Sequence, residues 1–214
     1  MFKLVAVSMI ALSVPAAGQV ISLSPEVGLY LPTQSLASTE GYTGMLTPDV
    51  TLGLAVSARI PSSPVAVDVS YLRTVGASAG VRVSPHFACA GSGCRASSVP
   101  GLVQITMIGG RVGMPWELFS SVQPHIRLGW VRKDFSTSLL QTFCGGDPRC
   151  QATHDFMNGH TDNGVYGSIG VHVGQGQSRL LIEVRDLVTR FDGFGSRSTQ
   201  HDLMIATGVA ISLF

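Results

Sequence analysis

The 214-residue chain is 45% hydrophobic and only 13% charged, with a mean hydropathy of +0.33, too few charges to cover the exterior of an ordinary soluble domain. A formal net charge of +1 implies no basic face for nucleic acid. Beyond the first eighteen residues no segment approaches eighteen consecutive apolar residues, which excludes spanning by helices and leaves strands as the route into a membrane.

Residues 1–18 read as a secretory signal peptide: a cation at Lys3, an apolar run from Leu4 to Val14, and small residues Ala16, Ala17 and Gly18 at which cleavage fits. The apolar run is too short for a transmembrane helix. With Lys3 removed, the remaining basic residues equal the 13 acidic ones, and Lys133 is the last lysine left. Residues 19–214 then form one domain.

Within it, period two predicts eight strands. The first, 21–31, contains Pro25, which suits a bulge or an edge-like position. The clearest is 50–60, where Val50, Leu52, Leu54, Val56, Ala58 and Ile60 alternate with small residues and Arg59. Val65, Val67, Val69 and Tyr71 repeat the pattern after Pro61-Ser62-Ser63-Pro64, making a hairpin. Strands 101–114, 124–134, 164–174 and 179–188 follow, the first with poor alternation around Gly109-Gly110. The last, 201–214, carries Leu203, Ile205, Val209, Ile211 and Leu213 on one face. Long polar links are expected at 32–48, 74–100, 135–163 and 189–200, and short ones at 61–64, 115–123 and 175–178. Such alternation is that of an up-and-down barrel with long loops at one end and tight turns at the other.

The second face of these strands is Gly, Ala, Ser and Thr with a few ionisable groups, too poor in charge for a solvated exterior and compact enough for a narrow interior. The apolar face is therefore expected to point outward. Tyr71, Trp116, Phe119, Trp130, Phe135 and Phe191 fall near strand ends, where interfacial girdles belong.

On these strands, and on a terminal strand closing in Leu213-Phe214, residues 20–214 resemble the small eight-stranded outer-membrane barrels, the class of outer-membrane protein X and the transmembrane domain of outer-membrane protein A. The resemblance implies an all-β, single eight-stranded antiparallel up-and-down transmembrane β-barrel. It implies a monomer in the outer membrane of a diderm bacterium, reached through the periplasm and surrounded by outer-membrane lipid. Leu213 and Phe214 would present the C-terminal signal to the barrel-assembly machinery. In the family the final aromatic shares the apolar face, whereas Phe214 falls on the other one; either Leu213 takes that place or a bulge resets the register.

Projection onto one barrel puts Glu26, Arg59, Asp68, Arg127, Glu183 and Arg185 inside, a neutral set in which Arg59 lies diagonal to Asp68 if Ile60 pairs with Val65. They plug the interior or, alternatively, line a narrow pore for small solutes or ions. Cys89 and Cys94 bracket A-G-S-G, and Cys144 and Cys150 bracket G-G-D-P-R. Exported chains oxidise such pairs; proximity favours 89–94 with 144–150, each ring contributing roughly 2 kcal/mol, and a cross-loop pairing stays open. Zinc fits neither spacing. His154, Asp155, Asn158, His160, Asp162 and Asn163 form a cluster that could hold a divalent cation but also has the composition of a turn-rich loop, which is the reading preferred. A lipid-modifying enzyme would need a serine, a histidine and an acid near a rim. Of His86, His125, His172 and His201 none lies in a nucleophile motif, and Ser168 with His172 points into the lumen. The expectation is a non-enzymatic barrel without metal or cofactor, structural or interacting with an extracellular protein or surface ligand through stiffened loops.

Overall fold

The computed structural model describes residues 20–33, 37–39, 42–59, 62–76, 78–83, 97–114, 121–137, 160–193 and 196–213. Its strands are β1 (Val20–Pro32), β2 (Ala37–Thr39), β3 (Tyr42–Leu46), β4 (Asp49–Arg59), β5 (Val65–Thr74), β6 (Ser78–Val83), β7 (Ser97–Gly113), β8 (Val122–Thr137), β9 (Thr161–Val173), β10 (Ser178–Gly193) and β11 (Ser196–Ser212). Eight of them, β1-β4-β5-β7-β8-β9-β10-β11, pair antiparallel in that circular order. The pairing of β1 with β11, as in Leu29 opposite Ile205, closes the wall and leaves no free edge. β2, β3 and β6 add a small sheet above β7 at the loop end.

The greasy residues face outward. Leu52, Leu54, Val67 and Ile205 are 55%, 43%, 57% and 48% exposed, whereas their neighbours Thr51, Ala55, Ala66 and Ala206 are buried. Arg59 pairs with Ala66, the register expected from Ile60 opposite Val65. Pro25 makes no bulge. The β1–β11 ladder skips Ser24 and Pro25 but resumes in the same register, Leu23 opposite Ile211 and Glu26 opposite Gly208, because Pro25 turns its donorless nitrogen toward β11 and stays in register with Leu54 of β4. The turn between β9 and β10 needs glycine at two positions, Gly174 at φ +124° and Gly176 at φ +79°.

The largest departure from expectation is at the loop end. Residues 189–200 are not a long link: β10 and β11 run on as a ladder to Gly193 opposite Ser196. β7 likewise begins at Ser97 and β8 reaches Thr137. In these extensions the two faces exchange character. On β8, Arg132 and Asp134 point outward and pair at 2.8 Å, while Val131 and Phe135 are buried. On β10 and β11, Asp186 and His201 meet outside at 3.2 Å, while Leu187 and Phe191 are buried. Phe135 and Phe191 are thus interior residues and not girdle aromatics, since longer strands carry their parity into the lumen. Tyr71 and Trp130 do face outward. The signal segment 1–18, Trp116, Phe119, Phe214 and all four cysteines, Cys89, Cys94, Cys144 and Cys150, lie outside the described residues.

Candidate functional site

The polar interior holds one chain of alternating charge. Glu183 and Arg185, two residues apart on β10, share a face, and the Arg185 guanidinium bridges Glu183 at 2.9 Å and Glu26 of β1 at 2.8 Å. Arg127 of β8 reaches the same Glu183 carboxylate at 3.1 Å and Asp68 of β5 at 3.2 Å. Arg111 of β7 closes the series on Asp68 at 3.6 Å. Arg111 and Arg127 stand directly opposite each other on neighbouring strands, a repulsive placement that the Asp68 carboxylate between them offsets. Ser57, opposite Asp68, donates to it, and Ser168 donates to Glu183. Each buried charge therefore meets an opposite one, the condition under which desolvation is tolerable.

Five of the six residues projected from sequence, Glu26, Asp68, Arg127, Glu183 and Arg185, meet in this chain. The sixth, Arg59, faces the lumen nearer the turn end; Asp68 meets Arg111 and Arg127 in its stead. Leu213 is exposed on the apolar outer face like Ile211 and Val209, with no break in register, its amide donating to the Ile21 carbonyl at 2.8 Å.

A second buried cluster occupies the loop end. Lys133 Nζ lies 2.7 Å from Asp202 and 3.8 Å from Asp162. Tyr30 donates its hydroxyl to the same Asp202 oxygen at 2.6 Å, and His160 meets Asp162 at 2.8 Å. Phe135 packs against this group, its ring centroid 5.8 Å from Lys133 Nζ, and His160 touches Phe135 and Phe191. Sequence reasoning left out Lys133, Asp202 and Tyr30, although their parity matched that of residues already placed inside.

Between the clusters the lumen is filled. Leu72, Ile105, Met107, Leu187 and Met204 are fully buried and belong to one apolar cluster with Tyr166. Tyr166 lies across two glycines of the wall: a Cβ on Gly129 would stand 2.7 Å from its ring, and one on Gly109 2.6 Å from its hydroxyl. Only hydrogen at those positions admits the ring.

Ser168 and His172 turn to different partners, Ser168 donating to Glu183 and His172 Nε2 lying 3.1 Å from Arg111. Of the suggested cation cluster, Asp162 is engaged by Lys133 and His160 inside and Asn163 is exposed; His154, Asp155 and Asn158 lie outside the described residues. Among the described residues no three His, Cys, Asp or Glu converge as ligands.

No protein-family model matches the sequence, and no curated protein matches it. Among solved structures the chain is similar to Neisserial surface protein A, with a TM-score of 0.55 at 11% identity over 90% of this chain and 97% of that one. It is similar also to the outer membrane protein OprG from Pseudomonas aeruginosa, with a TM-score of 0.51 at 12% identity over 92% of this chain and 93% of that one. At such identities the likeness is one of fold, the closed eight-stranded barrel of small outer-membrane proteins.

Proposed function

We propose that this chain is a non-enzymatic barrel of a diderm outer membrane, exported through the periplasm, with a plugged interior and a structural or surface-binding role at its loop end. The observation that carries the reading is the inside-out wall: a band of exposed Val, Leu and Ile around a lumen that encloses buried ion pairs. In water such a band would be an aggregation surface; against acyl chains it is the outward apolar belt, about 25 Å tall, of membrane barrels. Binding of an extracellular protein or surface ligand is assigned to the segments that join strands at the loop end, including the cysteine-bearing 84–96 and 138–159.

A urea-washed membrane fraction run on gels with and without boiling tests the location. A heat-shifted band retained with the outer membrane is expected; a band released by urea would overturn the reading. Removing 138–159 alone, sparing the buried Phe135 and Asp162, is expected to abolish surface binding while the heat shift survives. Planar-bilayer recordings are expected to lack discrete conductance steps, since apolar side chains fill the lumen between the two polar clusters.

A further inference from the structure

At its turn end the lumen opens into a vestibule lined by Arg59, Arg111, Arg127, Arg179, His125 and His172, with Asp68 as its one carboxylate among the described residues. The six-member ion-pair chain from Arg111 to Glu26 is neutral in itself. Arg59 and Arg179 stand outside it and leave the described lining of the vestibule with a surplus of positive charge. Arg179 donates to Gln123 at 2.6 Å, but its Nε is buried without a partner. Asp68 is already shared by Ser57, Arg111 and Arg127.

His125 also faces this vestibule. It is 2% exposed, and neither of its ring nitrogens has a hydrogen-bond partner. Its neighbour His172, 4.6 Å away ring to ring, is accounted for: a guanidinium only donates, so His172 Nε2 accepts from Arg111 and its proton sits on Nδ1. His125 has no such arrangement. Leaving a buried N–H unmade is costly, and the group that would complete it, among several arginines, is an acceptor with negative charge.

We propose that the vestibule is a binding site for a small oxyanion, the phosphate or carboxylate group of a solute, held by the guanidinium groups of Arg59 and Arg179 and by the N–H of His125, with Arg111 behind. Planar guanidinium donors suit phosphate and carboxylate oxygens, and the space accommodates several water-sized groups. The surplus positive charge disfavours a metal cation. Because the apolar cluster closes the inner end, the site is a blind pocket that retains its ligand and does not conduct it.

The test uses the full refolded barrel in zwitterionic micelles, so it does not depend on the cellular location. Inorganic phosphate and, separately, acetate are titrated at constant ionic strength against chloride, reading the unfolding midpoint and the ring nitrogen resonances of His125. A saturable phosphate response that moves the His125 resonances is expected. The Arg59→Gln/Arg179→Gln double variant should weaken it about tenfold or more, equivalent to about 1.4 kcal/mol, whereas Arg73→Gln, an outward cation near the loop end, should leave it unchanged. Acetate acting as well supports the general oxyanion class; phosphate acting alone narrows the ligand to phosphates. No response beyond chloride, or an equal response in the double variant, overturns the proposal and leaves ordered water as the partner of His125.

Discussion

The two ends of the lumen bury charge in different ways. Toward the turn end, six groups alternate in sign across five strands, and the series opens at Arg111 onto a polar vestibule. At the loop end a single ammonium, Lys133, serves two carboxylates, and the aromatic side chains of Phe135 and Phe191 pack beside it. An extended chain distributes its stabilisation, but its end carboxylate, Glu26, meets only one cation of the chain, Arg185. A compact cluster has fewer charges and a spare neutral donor, the Tyr30 hydroxyl. How much each end loses when one cation is removed measures that difference.

The largest loss is expected for Arg185→Leu. Its guanidinium is the bridge between Glu26 and Glu183 and is fully buried, and Glu26 Oε1 already has no partner. Glu183 would keep Arg127, but Glu26 would be left buried beside it with no cation among the described residues, which places the cost at about 3–5 kcal/mol. Urea titration of the refolded barrel, scored by the heat-shifted band, reads it. A loss below about 1 kcal/mol would mean that the ionic series contributes nothing to holding the wall.

Lys133→Met is expected to cost less, about 2–3 kcal/mol, because Asp202 keeps the Tyr30 donor and Asp162 keeps His160. Equal losses in the two variants would remove the distinction between a distributed series and a compact cluster.

Where the sequence was legible follows the same division. In the belt, outward Val27, Leu52, Leu54, Val67, Val184 and Ile205 alternate with small or charged inner neighbours, so period two alone assigns the faces of β1, β4, β5, β10 and β11, and with them Glu26, Asp68, Glu183 and Arg185. β7 offers no such contrast. Its inward Val103, Ile105 and Met107 are as apolar as outward Ile108 and Val112, which hid the parity that puts Arg111 inside. Above the belt the period persists but its sign reverses, with Arg132, Asp134 and His201 outward and Val131, Phe135 and Phe191 inward. A pattern read for apolar-outward strands therefore stops short there, and 189–200 reads as a polar link although it is mostly ladder. The acceptor-seeking state of His125 carries no sequence signal, because it depends on what neighbouring side chains leave unmade.

The smallest effect tests the spare donor. Tyr30→Phe removes one hydroxyl whose acceptor, Asp202, remains 2.7 Å from Lys133. About 1 kcal/mol is expected, the net value of a single hydrogen bond that leaves no charge unpaired. In the Lys133→Met background the same change takes away a remaining donor to a buried carboxylate, so its cost should rise by about 1 kcal/mol or more. That non-additivity distinguishes a hydroxyl that stands in for the ammonium from one that only fills space. If Tyr30→Phe costs the same in both backgrounds, Asp202 is satisfied in some other way when Lys133 is absent. The loop-end cluster would then be tolerant because its carboxylate can reorganise or take up a proton, and not because Tyr30 holds it.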